Sequence, residues 1–367
     1  MRLNRTLLFF LLLGVSALLS ACAGGAATAN SWPGLTVDGD TAYIAFNRSV
    51  YAVNLADGTQ RWVYPASEQT IEGNPSFFAP PAVSSDGLLV VGDYIDTLRL
   101  LDAEDGLETT GGTWPFTQAT NLYVGSPLTV GNNIFAPNSD GSLYALSVDG
   151  DPLWNNQPFT TEQGLWVKPA TDGERIFVPS QDHNLYAIEV ATGREIWQLD
   201  LGGASLGTPA LSDDGILYIG SLNKEMLAVD SRTGDQIWEF PAAEIIWAGP
   251  TLADGVLYFG DMAGNFYALD AESGSELWNL TLGSPILSSA LVVDDQVYIT
   301  TEGGSLLIYT TDGSPVKEIP LADANLFTSP ELAGDLILVS PMGIDPLLIA
   351  FSLEGDQQWS FTPAEAR

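Results

Sequence analysis

Asn184-Leu185-Tyr186-Ala187-Ile188-Glu189-Val190-Ala191-Thr192-Gly193-Arg194-Glu195-Ile196-Trp197 is the stretch that decides the fold. Its first half alternates side chains across a strand: Leu185 and Ala187 share one face, Tyr186 and Ile188 the other. Both faces are apolar, so both need a cover. A Thr-Gly turn follows, where glycine adopts positive φ at little cost, and a second strand begins at Glu195 and carries Trp197.

The same sentence is written again and again along the chain. Glu225–Gly234 leads to Trp238, and Asn265–Gly274 leads to Trp278. In six copies a Trp stands four residues after the turn glycine: 58/62, 150/154, 193/197, 234/238, 274/278 and 355/359. Two copies are degenerate. Leu98–Gly106 lacks the Trp at that spacing, with Trp114 further on, and Leu306–Gly313 has Lys317 in its place. The eight turn glycines lie 39 to 48 residues apart. Within one unit, Thr208–Leu211, Ile216–Gly220, Met226–Asp230 and Gln236–Phe240 read as four short strands, and no long helical pattern interrupts them.

A unit of about 40 residues with four strands is the mark of a β-propeller blade. Neighbouring blades cover each other's apolar faces, and closing the array into a ring leaves no terminal face wet. The expected fold is therefore all-β, an eight-bladed propeller of four-stranded antiparallel blades over residues 32–367. Trp32 and Trp359–Phe361 are expected to meet in one blade at the ring closure.

The Ala-x5-Gly-x3-Trp pattern resembles the quinoprotein-type (PQQ-like) repeat, found in quinoprotein dehydrogenases and in the outer-membrane assembly factor BamB. Ala187, Gly193 and Trp197 match it, as do Ala228, Gly234 and Trp238, and Ala268, Gly274 and Trp278. The resemblance implies that Trp62, Trp154, Trp197, Trp238, Trp278 and Trp359 are structural. They would dock between blades against the small Ala and the turn Gly. Residues 32–361 carry the resemblance, which speaks for fold more than function.

The N-terminus reads as an export signal. Arg2 and Arg5 precede the apolar run Thr6–Leu19, and Leu19-Ser20-Ala21-Cys22 resembles a bacterial lipobox. Residues 1–21 are expected to be a lipoprotein signal peptide, with Cys22 the lipid-attachment residue. Residues 22–31, small and polar, would form a flexible tether. Cys22 is the only cysteine, so no disulfide can form within the chain. The expected location is outside the cytoplasm, anchored to the bacterial membrane on its periplasmic or cell-surface side.

The net charge is −34, from 46 acidic and 12 basic residues. Such a surface repels phosphate backbones, so nucleic acid is not an expected partner. With a single histidine, His183, in a turn, neither a zinc site nor a Ser-His-Asp arrangement can be read. Asp140, Asp182 and Asp261 recur at one turn position, where ordinary turn chemistry accounts for them. Quinoprotein dehydrogenases carry a catalytic Asp, calcium ligands and commonly a vicinal cysteine pair, and one cysteine cannot supply the pair. The expectation is no catalytic residue, no metal and no cofactor.

The connections between blades carry the candidate binding residues. Three residues before a recurring proline-like position stand Phe78, Val124, Trp166, Leu206, Trp247, Ile286 and Phe327. Phe78, Trp166, Trp247 and Phe327 are candidates for an apolar ring that binds a partner or ligand. The alternative is that they plug the tops of the blades. The connections Ser67–Phe78, Gly111–Gly125 and Asn155–Lys168 are longer than the later ones and suit recognition. The expected function is a protein-binding scaffold, another envelope protein being the partner, as in outer-membrane assembly. In BamB-like chains the partner-binding loop carries a basic residue, while the connection Leu199–Pro209 has none. A cell-surface propeller that binds a glycan or small ligand is the alternative, and a quinone-dependent oxidoreductase ranks last.

Overall fold

The computed structural model describes residues 31–364, apart from 67–70 and 72. The signal segment, Cys22 and nearly all of the expected tether lie outside the described residues. Residues Ser31–Arg367 form one compact unit.

Eight antiparallel sheets follow one another along the chain. Their strands span Gly34–Tyr64, Ala82–Asp102, Leu128–Thr160, Ala170–Asp200, Ala210–Pro241, Thr251–Thr281, Leu291–Pro320 and Glu331–Phe361, here blades 1 to 8. Seven have four strands and blade 2 has three. In blade 2 the fourth strand is reduced to isolated bridges, Leu98 to Phe116 and Leu101 to Glu108. The eight-bladed propeller expected from the repeat is thus the fold, with one blade incomplete at its outer edge.

Both faces of each middle strand are buried, as their apolar residues require. Leu185, Ala187 and Ile188 are fully buried, and Tyr186 is 7 % exposed. Each core cluster is shared by two blades: Trp197, Leu185 and Phe177 of blade 4 pack with Leu217, Ile219 and Val229 of blade 5. Burying such side chains is worth roughly 1.5–3 kcal/mol each, and that is what holds one sheet against the next.

The repeat's Ala, Gly and Trp have distinct places. Trp pairs across its own sheet with Ala: Ala187 with Trp197, Ala228 with Trp238, Ala268 with Trp278. Beside each pair the register shifts by one residue, a β-bulge that leans the outer strand. The indole then reaches the following blade. A Cβ on Gly234 would fall 2.7 Å from Trp197, so the indole's partner is the next turn glycine, not its own. Trp197 Nε1 donates to Ser231 O at 3.0 Å, and the same bond recurs from Trp62, Trp154, Trp238 and Trp278 to Ala103, Val190, Ala271 and Thr311.

Ring closure departs from expectation. The two chain ends do not share a blade, because the strands of blade 1 and those of blade 8 are each contiguous. The ring closes by side-by-side packing. Trp359 of blade 8 donates to Leu55 O of blade 1 at 2.9 Å and covers Gly58. Thr328 donates to Pro33 O at 2.8 Å, and Trp32 packs on Phe327 with centroids 5.8 Å apart. The Trp-to-carbonyl contact that joins six other pairs of blades suffices, so no strand exchange is needed.

Candidate binding site at the channel mouth

The first strands of neighbouring blades touch one another around the axis. Their register fixes which residues share a level. Thr36, Ala82, Leu128, Ala170, Ala210, Thr251, Leu291 and Glu331 pair with equivalent second-strand residues, so they form one ring. Counting back two residues gives a throat of Gly34, Pro80, Ser126, Lys168, Thr208, Gly249, Ser289 and Ser329. Counting back four gives Trp32, Phe78, Val124, Trp166, Leu206, Trp247, Leu287 and Phe327. Every blade thus presents an apolar residue at the mouth.

Two positions of this ring differ from the sequence reading. Ile286 is fully buried, one residue before the ring level, with Phe77, Tyr123, Leu165, Ile246 and Leu326. Leu287 holds the ring position. The connection before blade 7 has Ser289-Ala290 where blades 2–6 and 8 have a residue and Pro, so no proline marks the register there. Trp32 completes the ring from the chain's N-terminal side. No proline marks its register in the sequence, since Leu35 stands three residues after it and Pro33 directly follows it.

The four candidate aromatics are not equivalent. Trp166 is 40 % exposed, as is Trp32. Phe78 is buried, held by Tyr94 at 4.8 Å and Phe46 at 6.0 Å between centroids. Trp247 and Phe327 are half-buried. Phe78 and Trp166 line a cavity of about 500 Å³ together with Trp32, Val124 and Leu206, while Trp247 and Phe327 hold the same level outside its wall.

Close packing and hydrogen bonds tie neighbouring blades together around the throat. Gly249 abuts its neighbour so closely that a Cβ there would fall 2.1 Å from Thr208 O. Ser289 bridges two blades, donating from Oγ to Gly249 O at 2.8 Å and from its amide to Ser329 Oγ at 3.0 Å. Thr36 Oγ1 donates to Pro81 O at 2.7 Å and Thr251 Oγ1 to Ala290 O at 2.6 Å. Side-chain hydroxyls therefore bind the backbone of adjacent blades around the throat.

Two charged groups enter this wall, Lys168 and Glu331. They belong to blades 4 and 8, which lie opposite each other in an eight-membered ring. Burial pushes the Glu331 carboxyl up to about 7, and the positive charge of Lys168 opposes the rise without cancelling it. Desolvation wins because no hydrogen bond from the described residues supports the charged carboxylate.

The turn carboxylates do local work. Asp261 accepts from the Ala263 and Asn265 amides and from Tyr267 Oη at 3.0 Å. Asp182 accepts from the Asn184 amide and Tyr186 Oη, and Asp140 from the Ser142 amide and Tyr144 Oη. They fix hairpin turns to the third strand. His183 sits in such a turn with φ of 77°, its side chain exposed.

A family model described as "Outer membrane protein assembly factor BamB" matches residues 47–165, 149–245 and 222–316. No curated protein matches the chain. Among solved structures, BamB from Moraxella catarrhalis aligns with a TM-score of 0.68 at 17 % identity, over 86 % of this chain and 92 % of that one. The computationally designed Ika8 protein aligns with a TM-score of 0.72 at 12 % identity, over 91 % and 98 %. A europium-containing methanol dehydrogenase aligns with a TM-score of 0.70 at 14 % identity, over 86 % and 84 %. Identities this low establish the shared propeller and leave chemistry open.

Proposed function

Since the chain belongs to the family of the outer membrane protein assembly factor BamB, we propose that it is a protein-binding scaffold of the cell envelope whose channel mouth holds another envelope protein. The observation that carries this reading is the ring itself. Eight blades present eight apolar residues at one level, and Trp32 and Trp166 each keep 40 % of their surface open to solvent. Exposed tryptophans above a throat cross-linked by hydrogen bonds suit a partner's apolar side chains. Cys22 would carry the lipid that anchors the propeller to a bacterial membrane, with residues 23–31 as the tether.

Two features favour binding over redox chemistry. The cavity wall carries one carboxyl group, Glu331, and no aspartate. Among the described residues no group of three or more His, Cys, Asp or Glu side chains converges on a metal position. This donor set does not fit a quinone held beside a calcium-type ion and a catalytic Asp, and no reaction step is assigned to one.

The test is affinity capture from native membranes. The intact protein is expected to co-purify with an outer-membrane barrel or its assembly machinery, and Trp166→Ala with Trp247→Ala to abolish that capture while the thermal melt stays unchanged. Capture undiminished in the double variant discards the mouth as the docking face. Quinone-dependent dye reduction by the purified protein would overturn the scaffold reading altogether.

A further inference from the structure

The channel beneath the mouth contains an arrangement that partner docking leaves unexplained. Lys168 and Glu331 line one cavity of about 500 Å³ from blades 4 and 8. They are not joined in an ion pair, and the Glu331 carboxyl has no hydrogen-bond partner among the described residues. The rest of the wall is uncharged: hydroxyls of Ser126, Thr208 and Ser329 at the throat, and Trp32, Phe78 and Trp166 above. A volume of this size falls within the range of small-molecule sites, roughly 300–1,000 Å³.

A solvent-exposed ammonium and a partly buried carboxyl without a hydrogen-bond partner make a site that carries one charge of each sign when Glu331 is ionised. A purely anionic guest would meet Lys168 and be repelled by ionised Glu331, and a cationic guest would suffer the reverse. Once Glu331 is ionised, a guest with both charges satisfies both groups, and an apolar arm on it would lie against the aromatic mouth. We infer that the channel is a binding site for a zwitterion with an apolar arm, of the class of free α-amino acids with aromatic or branched side chains. Lys168 takes the carboxylate, Glu331 takes the ammonium, and Trp166 and Trp32 flank the side chain.

The site must be pH-sensitive. Glu331 pairs with an ammonium only when ionised, and the other titratable groups on the wall are Lys168 and the buried phenol of Tyr94, whose own ionisation burial pushes up. Binding is therefore expected to be strongest near pH 8 and to fade toward pH 5, where Glu331 holds its proton.

Isothermal titration of the detergent-solubilised full chain tests this without any partner protein, so its outcome is independent of the capture experiment. L-phenylalanine and L-leucine are the probes, and 3-phenylpropionate and phenethylamine are the single-charge controls. The amino acids are expected to bind roughly tenfold or more tightly than either control, the share of one charge-assisted hydrogen bond. Lys168→Met and Glu331→Gln should each weaken the amino acids by roughly tenfold. Lys224→Met, which removes an exposed cation paired with Glu244, should change nothing. No binding up to about 10 mM, a weakness below any specific site, overturns the inference. So does a single-charge control that binds as well as the amino acid, or indifference to either wall variant.

Discussion

At the scale of single residues, the propeller rests on a division of labour between Ala, Gly and Trp. Ala opposite Trp leaves room for the indole to lie flat, and the glycine that receives it belongs to the next blade. Spacing within one copy of the repeat could reveal the three positions. It could not reveal that Trp197 sits on Gly234 and not on Gly193, because that partner is one blade away. Glu331 is the residue that sequence gave no reason to single out, since its character comes from the channel around it. Its carboxyl stands at about 7, above the ordinary value, so the protonated form favours the fold. That contribution is complete below the unfolded value of about 4.5 and is lost as pH rises through about 7. Glu331→Gln keeps the shape and removes the charge. It is expected to stabilise the protein by about 1–3 kcal/mol at pH 8 and by little at pH 4. Urea melts at the two pH values measure this, and an equal effect at both would refute the burial argument.

At the scale of elements, the two degenerate copies show how a blade survives without its Trp. In blade 7 Lys317 stands opposite Ile308 where blades 1, 4, 5, 6 and 8 have Trp opposite Ala. Ile319 and Ile308 fill the volume together, and a Cβ on Gly355 would fall 2.6 Å from Ile319 Cδ1 and 2.9 Å from Ile308 Cδ1. The ammonium replaces the indole as donor, reaching Glu354 O and Gly355 O at 3.0 Å and Asp356 Oδ1 at 2.7 Å. In blade 2 Trp114 performs the indole's role from a longer loop, donating to Val148 O at 2.8 Å. There the reduced outer strand is supported by Arg99, which pairs with Glu108 at 2.8 Å, while Tyr64 Oη donates to Glu108 at 2.7 Å. The copies were legible from turn glycines, but these substitutes were not, since they involve residues outside the repeat's consensus. The blade 7 exchange predicts strong coupling. Lys317→Trp alone should destabilise by about 1–3 kcal/mol, because Ile308 occupies the indole's place. Ile308→Ala alone should cost about 2–4 kcal/mol through the cavity it leaves. Together they rebuild the consensus pair, so the double variant should be more stable than the sum by at least about 1 kcal/mol. A double-mutant cycle in urea gives the coupling, and additivity would show that the pair is not a unit.

At the scale of the whole molecule, seven of the eight interfaces share an indole-to-carbonyl bond, and the eight differ in connectivity. Seven join blades that are consecutive in the chain, and the eighth joins blade 8 to blade 1 with no covalent link between them. Its bonds are the same as elsewhere: Trp359 to Leu55 O at 2.9 Å matches Trp197 to Ser231 O at 3.0 Å. Losing either indole should therefore cost a similar amount in global stability, about 3–5 kcal/mol for a Trp→Ala change in a packed interface. The consequences for local opening should differ. After Trp197→Ala, blades 4 and 5 remain tied by the connection between them and held in a closed ring. After Trp359→Ala, the seam parts with no chain to restrain it, and its two flanking blades each lose the cover on one apolar face. Opening there need not unfold the rest, because in a repeat array each unit depends mainly on its neighbours. Hydrogen exchange should then accelerate selectively in Gly34–Tyr64 and Glu331–Phe361 for Trp359→Ala, with the middle strands of blades 4 and 5 still protected. Trp197→Ala should raise exchange without that terminal bias. If Trp359→Ala accelerated every blade alike, the ring would have to open as one cooperative body, and the seam would be no weaker than the interfaces that the chain itself ties together.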